Sequence, residues 1–193
     1  EQIISRDHTE NLLMKNIQSI KITKKKKKII KVKGKSYLNP LNLNIGGDPS
    51  SAAFFAALTL LNKNSTLKIK NVGLNPTRTG FYDILKKQKV KINFKNIIKD
   101  NNEIRGDILI KSSKLKPMNV PASLYPRTTD EYLILFVLAS LTNGVSTFRG
   151  ISELKGKESS RAHEMKKILN QIGVKCKLSQ NEMKIYGKGM IDA

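Results

Sequence analysis

Charged residues stand at or just before the start of two predicted helices, where they could carry out acid–base chemistry and bind anions. Asp130 precedes a strongly apolar run, and a carboxylate at the mouth of such a helix could act as a general base. Lys157, Glu158 and Arg161 lie between a predicted strand and another helix, where free backbone N–H groups and the helix dipole attract anions. Arginine binds phosphate or carboxylate in a bidentate way, and lysine can transfer a proton when its pKa is lowered. An ordinary charged helix start would also account for these residues.

Helix capping is a second interpretation of the polar residues near the apolar helices. Asp130 and the DPSS segment at residues 48–51 both precede apolar helices, and Asp and Ser side chains accept hydrogen bonds from the free N–H groups there. Arg78 lies in a loop that contains Pro and Gly, and turn formation explains this position better than ligand contact does. Capping and turn formation therefore compete with catalysis at each of these positions.

The elements that must position these residues recur along the chain. Residues 64–67 match residues 145–148, and residues 81–90 match residues 163–172, at an offset of about 80 residues, as expected of an internal repeat. Each unit is predicted as a strand, a buried helix, a strand, an exposed helix and two final strands. Crossovers through helices indicate parallel pairing, and the closing hairpin indicates antiparallel pairing. We therefore predict an α/β (α+β) fold built from βαβαββ units.

The hydrophobic pattern places the individual elements. A helix is expected from about residue 5, followed by a lysine-rich hairpin around residues 24–28. The buried helices are expected to be apolar nearly all round and to pack between sheets. The remaining expected elements are strands at 41–45, 67–70, 90–94, 106–111, 146–149, 174–178 and 183–186, and helices at 52–61, 81–85, 128–141 and 159–171.

The composition indicates a folded, strongly basic protein. Of the 193 residues, 39% are hydrophobic, which is enough for a core. The formal net charge of +21 would suit a polyanion such as nucleic acid. Lysine is scattered over nearly every segment, however, and no standard nucleic-acid motif is visible. Compositional bias together with small anionic substrates explains the charge better, so we do not expect a nucleic-acid partner.

Several absences favour a cytoplasmic location. The longest apolar stretch, residues 133–141, is too short to span a bilayer, and no run resembles a secretory signal. Cys176 is the one cysteine, so no disulfide can form within the chain. His8 and His163 are far apart and lack the spacing of metal ligands, so no metal site is predicted.

Five short motifs, taken together and in order, resemble those of the EPSP synthase family, particularly its glyphosate-tolerant bacterial subgroup. Each motif alone is weak, but the five span essentially the whole chain. The motifs are SRDHTE at residues 5–10, GDPSSA at 47–52, NPTRTG at 75–80, TDEY at 129–132 and KESSR at 157–161.

The resemblance implies a role for each candidate residue. Asp130 corresponds to the base that takes the proton from the attacking hydroxyl of shikimate 3-phosphate. Lys157 and Glu158 correspond to a pair that moves protons to and from the enolpyruvyl methylene, and Lys157 also contacts substrate. Arg161 corresponds to an arginine that holds phosphoenolpyruvate, and Ser5 lies near a position that contacts the substrate's phosphate. The implied reaction is addition followed by elimination of phosphate, without a cofactor or metal.

The resemblance also implies a division of the chain. The family has two lobes, each made of three repeats, with the active site between them. Residues 1–40 correspond to the end of the shikimate-binding lobe, and residues 41–193 to two βαβαββ repeats of the other lobe. The chain alone is therefore expected to bind substrates poorly and to turn over negligibly, whereas the full-length enzyme is expected to be a monomer.

Two other functions are compatible with parts of the sequence. A related enolpyruvyl transferase that acts on a UDP-sugar shares the fold but uses a cysteine in an early loop, and Cys176 is far from such a loop. A basic, non-catalytic nucleic-acid-binding module is supported mainly by the lysine run at residues 24–28.

Overall fold

The computed structural model describes residues 5–16, 20–24, 28–35, 37–155 and 160–189. Helix α1 (His8–Asn16) is followed by strands β1 (Ile20–Lys24) and β2 (Lys28–Val32), which pair in antiparallel fashion as a separate two-stranded sheet. The predicted helix and lysine-rich hairpin are thus confirmed. Lys28 is buried and lies 3.0 Å from the Glu10 carboxylate, an ion pair that joins α1 to the hairpin.

The first repeat unit contains helix α2 (Pro49–Leu61), strand β3 (Thr66–Gly73), helix α3 (Gly80–Lys87) and strands β4 (Ile92–Asp100) and β5 (Glu103–Lys111). The strand predicted at residues 41–45 is wrong, because this segment belongs to no strand. Its alternating apolar side chains are all exposed, so no sheet face receives them. Strand-like pairing begins only at Gly47, which forms a parallel bridge with Val72.

The second repeat unit contains strand β6 (Asn119–Val120), helix α4 (Tyr132–Ser140), strand β7 (Gly144–Arg149), helix α5 (Arg161–Gln171) and strands β8 (Lys175–Leu178) and β9 (Glu182–Gly187). Helix α4 begins later than the predicted residue 128. A 3-10 helix at Ala122–Arg127, which contains Pro126, precedes it. The N–H of Thr128 donates to the Tyr125 carbonyl, so the connection stays in tight turns until Glu131 caps α4.

The two units share the same pattern of strand pairing. Their strand orders are β3-β5-β4 and β6-β7-β9-β8. The crossover through α4 joins the parallel neighbours β6 and β7, as predicted. The crossovers through α3 and α5 join strands that are not neighbours, because the last strand of each unit inserts between them and pairs antiparallel with both.

The buried helices α2 and α4 contact each other between the sheets of the two units. Helix α4 buries Tyr132 and Phe136 against Phe148, with ring centroids 5.0–6.0 Å apart. Helix α2 departs from the expectation of burial all round, because Phe54, Phe55 and Leu58 are more than half exposed. The predicted fold class is nevertheless confirmed. Within the described residues, no helix is both long enough and apolar enough to cross a membrane.

Candidate active site

The N-terminus of α2 is built by the DPSS segment. Asp48 is the N-cap residue, and its carboxylate accepts hydrogen bonds from the Ser50 N–H at 3.3 Å and the Ser51 N–H at 2.8 Å. Partial burial raises the pKa of Asp48, but these hydrogen bonds and nearby Arg78 outweigh it and leave the pKa below its ordinary value. The capping interpretation of Asp48 is therefore confirmed.

The NPTRTG loop places Arg78 over this helix start. The Asn75 side chain accepts from the Thr77 N–H at 2.9 Å, and the Arg78 N–H closes the turn on the Asn75 carbonyl at 2.8 Å. One guanidinium nitrogen of Arg78 then donates to both Asp48 and the Ser50 hydroxyl, at 2.9 Å and 2.8 Å. The predicted turn chemistry is present, and Arg78 also links the loop to α2.

The two adjacent acids before α4 have opposite environments. Glu131 is only 3% exposed and accepts a hydrogen bond from the Ser50 hydroxyl. Burial raises the pKa of Glu131, although the hydrogen bond from Ser50 and the charge of Arg78 act against this rise. The side chain of Asp130 is 33% exposed and forms an ion pair with Arg6. Asp130 is therefore the carboxylate that solvent or a small molecule can reach.

The connection that carries Asp130 is anchored on the side of α3. Arg127 donates to the Pro76 carbonyl at 2.7 Å and to the Asp83 carboxylate at 2.5 Å. Gly80 lies against this connection so closely that a Cβ atom there would be 2.6 Å from the Arg127 carbonyl oxygen. The close approach requires glycine and holds the 3-10 helix against the NPTRTG loop.

Polar side chains attach α1 to the same end of the molecule. The Asn75 amide donates to the Asp7 carboxylate at 2.8 Å, and His8 and Asn11 each lie 3.0 Å from the Glu103 carboxylate. These contacts fix the start of α1 and, with it, Arg6, the residue immediately before Asp7. Sequence reasoning missed Arg6, although the SRDHTE motif contained it and pointed to its neighbour Ser5.

The other predicted site residues are only partly described. Ser5 is exposed next to Arg6, and Arg161 is half-buried as the first residue of α5. Lys157 and Glu158 lie outside the described residues. In the described part of the chain, Arg161 makes no hydrogen bond or ion pair with Asp130. That Lys157, Glu158 and Arg161 share one active site with Asp130, as their implied roles require, stays a prediction.

One hydrogen bond joins the start of α4 to the end of β7. The hydroxyl of Tyr132, in the first turn of α4, donates to the Arg149 carbonyl at the end of β7 at 3.3 Å. The chain that leads from β7 toward Arg161 therefore departs from the end of the molecule where α4 begins.

Among the described residues, no cluster of His, Cys, Asp and Glu side chains could hold a metal ion.

Comparisons with known proteins agree on one family. A family model described as EPSP synthase (3-phosphoshikimate 1-carboxyvinyltransferase) matches residues 2–191. Relatives named 3-phosphoshikimate 1-carboxyvinyltransferase include one from Zymomonas mobilis, 36% identical over 97% of this chain and 42% of its own length. Another, from Bacillus subtilis, is 35% identical over 95% of this chain and 42% of its own length.

A solved structure supports the same relationship. EPSP synthase from Acinetobacter baumannii superposes with a TM-score of 0.84 and 32% identity, covering 98% of this chain and 42% of that protein. The chain thus spans less than half the length of the relatives it matches.

Proposed function

The chain belongs to the EPSP synthase family, and we propose that it forms part of the active site of an enolpyruvyl transferase. The proposed reaction transfers the enolpyruvyl group of phosphoenolpyruvate to the 5-hydroxyl of shikimate 3-phosphate and releases phosphate, a step toward chorismate and the aromatic amino acids. The observation that carries the proposal is the pairing of Asp130 with Arg6 at the mouth of α4. It joins a general base to a phosphate-binding cation at one accessible point.

Asp130 is proposed to accept the proton of the 5-hydroxyl. The resulting oxygen nucleophile attacks C2 of phosphoenolpyruvate while the methylene carbon takes up a proton, which gives a tetrahedral intermediate. Loss of phosphate and of a methyl proton then restores the double bond. Lys157 and Glu158 are proposed to move the methylene proton, and Arg161 to bind the carboxylate or phosphate of phosphoenolpyruvate.

Arg6 is proposed to bind the phosphate group of shikimate 3-phosphate. Its side chain is 47% exposed, so its remaining N–H donors can bind a phosphate while the ion pair with Asp130 orients it. Ser5, the adjacent exposed residue, stays a proposed contact for the same phosphate.

The partners, location, oligomeric state and lobe assignment of the enzyme are also proposed. The partners are small phosphorylated substrates and include no nucleic acid, the location is the cytoplasm, and the full-length protein is a monomer. The proposed lobe assignment is that residues 1–40 belong to the shikimate-binding lobe and residues 41–193 to the other lobe. Because the site is expected to form between lobes, this chain alone should turn over negligibly.

A chimera tests the function without depending on association of separate pieces. In it, this chain replaces the matching segment of the Bacillus subtilis relative, and phosphate release is measured with both substrates. The chimera should release phosphate only when both substrates are present, and Asp130→Ala should reduce turnover by about 10²- to 10⁴-fold, the usual contribution of a general base. Glu164→Ala, at an exposed position in α5, is the matched control and should leave turnover unchanged. A folded chimera without activity, or one indifferent to Asp130→Ala, would contradict the proposal.

A further inference from the structure

Three linked polar residues, one of them the sequence neighbour of Asp130, have no place in the proposed reaction. Arg78 donates to the Ser50 hydroxyl at 2.8 Å, and that hydroxyl in turn contacts Glu131. They come from three different segments, namely the NPTRTG loop, the first turn of α2 and the cap of α4. The GDPSSA and NPTRTG motifs therefore meet the TDEY motif in one hydrogen-bonded chain.

The direction of this chain is determined by the chemistry of its members. The arginine guanidinium can only donate, so the Ser50 oxygen must accept from Arg78. The single hydroxyl proton of Ser50 is then available for Glu131, which must accept it. Because the same Arg78 nitrogen also donates to Asp48, its orientation is set from two sides.

Burial makes this arrangement costly to disturb. Glu131 is 3% exposed, and a buried carboxylate without a hydrogen-bond donor is strongly unfavourable. Its position at the cap of α4 adds the favourable helix dipole. Glu131 is therefore held against the start of α2 at a fixed position.

A displacement of Glu131 must also displace Asp130, because hydrogen bonds constrain the backbone around Glu131. The Glu131 N–H donates to the Thr128 carbonyl at 3.0 Å, and the Glu131 carbonyl accepts from the Leu135 N–H at 3.0 Å. A shift of Glu131 would move this turn, and Asp130 lies within it. The side chain of Asp130 leaves the turn in the direction of Arg6.

We propose that Glu131 is a positioning residue, which acts with Ser50 and Arg78 to hold the Asp130 carboxylate in reach of Arg6. The catalytic meaning of this inference rests on the proposed function, in which Asp130 is the base. The geometric claim can be tested on this chain alone, without substrates.

The test is a double-mutant cycle on Arg6 and Asp130, repeated in different backgrounds. Unfolding in urea gives the equilibrium constants of the chain, of Arg6→Ala, of Asp130→Ala and of the double variant. For a partly exposed pair we expect a coupling of about two- to fivefold in the unfolding constant. In the Glu131→Leu background the coupling should fall to about onefold, whereas Glu131→Gln, which keeps an acceptor for Ser50, should retain it.

The cycle separates positioning from a general loss of stability. If Glu131 served stability alone, Glu131→Leu would change all four constants by the same factor and leave the coupling intact, and this result would overturn the proposal. Should Glu131→Leu not fold, Ser50→Ala removes the same hydrogen bond and should abolish the coupling. Ser51→Ala is its matched control, because the Ser51 hydroxyl donates to Asp48, and it should leave the coupling unchanged.

Turnover of the chimera provides the functional readout. Ser50→Ala should lower kcat at least tenfold with little change in KM, whereas Ser51→Ala should not; equal kcat values would also overturn the proposal. A wrong assignment of the function would give a different result from a wrong assignment of Glu131. Asp130→Ala would then leave phosphate release unchanged, while the stability cycle would still report whether Glu131 positions Asp130.

Discussion

Replacing Gly80 with alanine tests how tightly the connection before α4 is held. A Cβ atom at residue 80 would lie 2.0 Å from the Thr128 hydroxyl oxygen and 2.6 Å from the Arg127 carbonyl oxygen. Thr128 is fully buried, and the Arg127 carbonyl belongs to the backbone of the connection that carries Asp130. The substitution must therefore displace that connection or the start of α3.

The expected magnitude is the difference of two effects. Overpacking of a well-packed site costs about 1–3 kcal/mol, and a backbone clash at 2.6 Å belongs at the upper end of this range. Replacing glycine with alanine within a helix returns at most about 1 kcal/mol. We therefore expect Gly80→Ala to destabilise the chain by about 2 kcal/mol, or to lower Tm by about 4–8 °C in a chain of this size.

Urea unfolding with a matched control measures this effect. Gly34 is exposed, and no atom lies within 4 Å of the position that a Cβ atom would take there, so Gly34→Ala should stay within about 0.5 kcal/mol of the parent chain. The slope of the urea dependence should be the same for all three proteins. If Gly80→Ala were as stable as the parent, the close packing of α3 on residues 127–128 would be refuted.

The shifted pKa values of Asp107 and Glu131 predict that stability depends on pH in opposite directions for the two carboxylates. Hydrogen bonds from the Asn71 N–H, Asn96 and Lys68 lower the pKa of Asp107 to about 2 from its ordinary 3.8, so its stabilising effect is present above pH 3.8 and is lost as the pH falls toward 2. Asp107→Asn should flatten this acid limb in urea midpoints, and an unchanged limb would argue against it. Burial raises the pKa of Glu131 above its ordinary 4.5, so stability is lost as the pH rises from 4.5 through the folded pKa. Glu131→Gln should remove that loss, and a parallel pH profile would contradict the assignment.

Local patterns were sufficient to predict most of the fold. The helices that became α2 and α5, and the closing hairpin of the second unit, follow directly from hydrophobic spacing and turn residues. The strand expected at residues 41–45 failed because alternation describes a strand only where a partner strand and a buried face are available. Pattern alone cannot reveal whether that partner exists.

The site was less predictable because its contacts join distant segments. Arg6 and Asp130 are 124 residues apart in the chain, and no spacing rule connects them. Asp130 and Glu131 are neighbours in sequence, yet tertiary packing buries one carboxylate against Ser50 and leaves the other accessible. Arg6 could have been found by asking which cation in the SRDHTE motif could bind the same phosphate as Ser5.

The most direct test of the central claim is a crystal structure of the chimera with shikimate 3-phosphate bound. We predict that the 5-hydroxyl lies about 2.6–3.2 Å from the Asp130 carboxylate, the distance needed for proton transfer, with Arg6 on the substrate's phosphate. Arg161 should face the same pocket from the start of α5. A substrate hydroxyl out of reach of Asp130, or Arg161 on the opposite side of the molecule, would contradict the account.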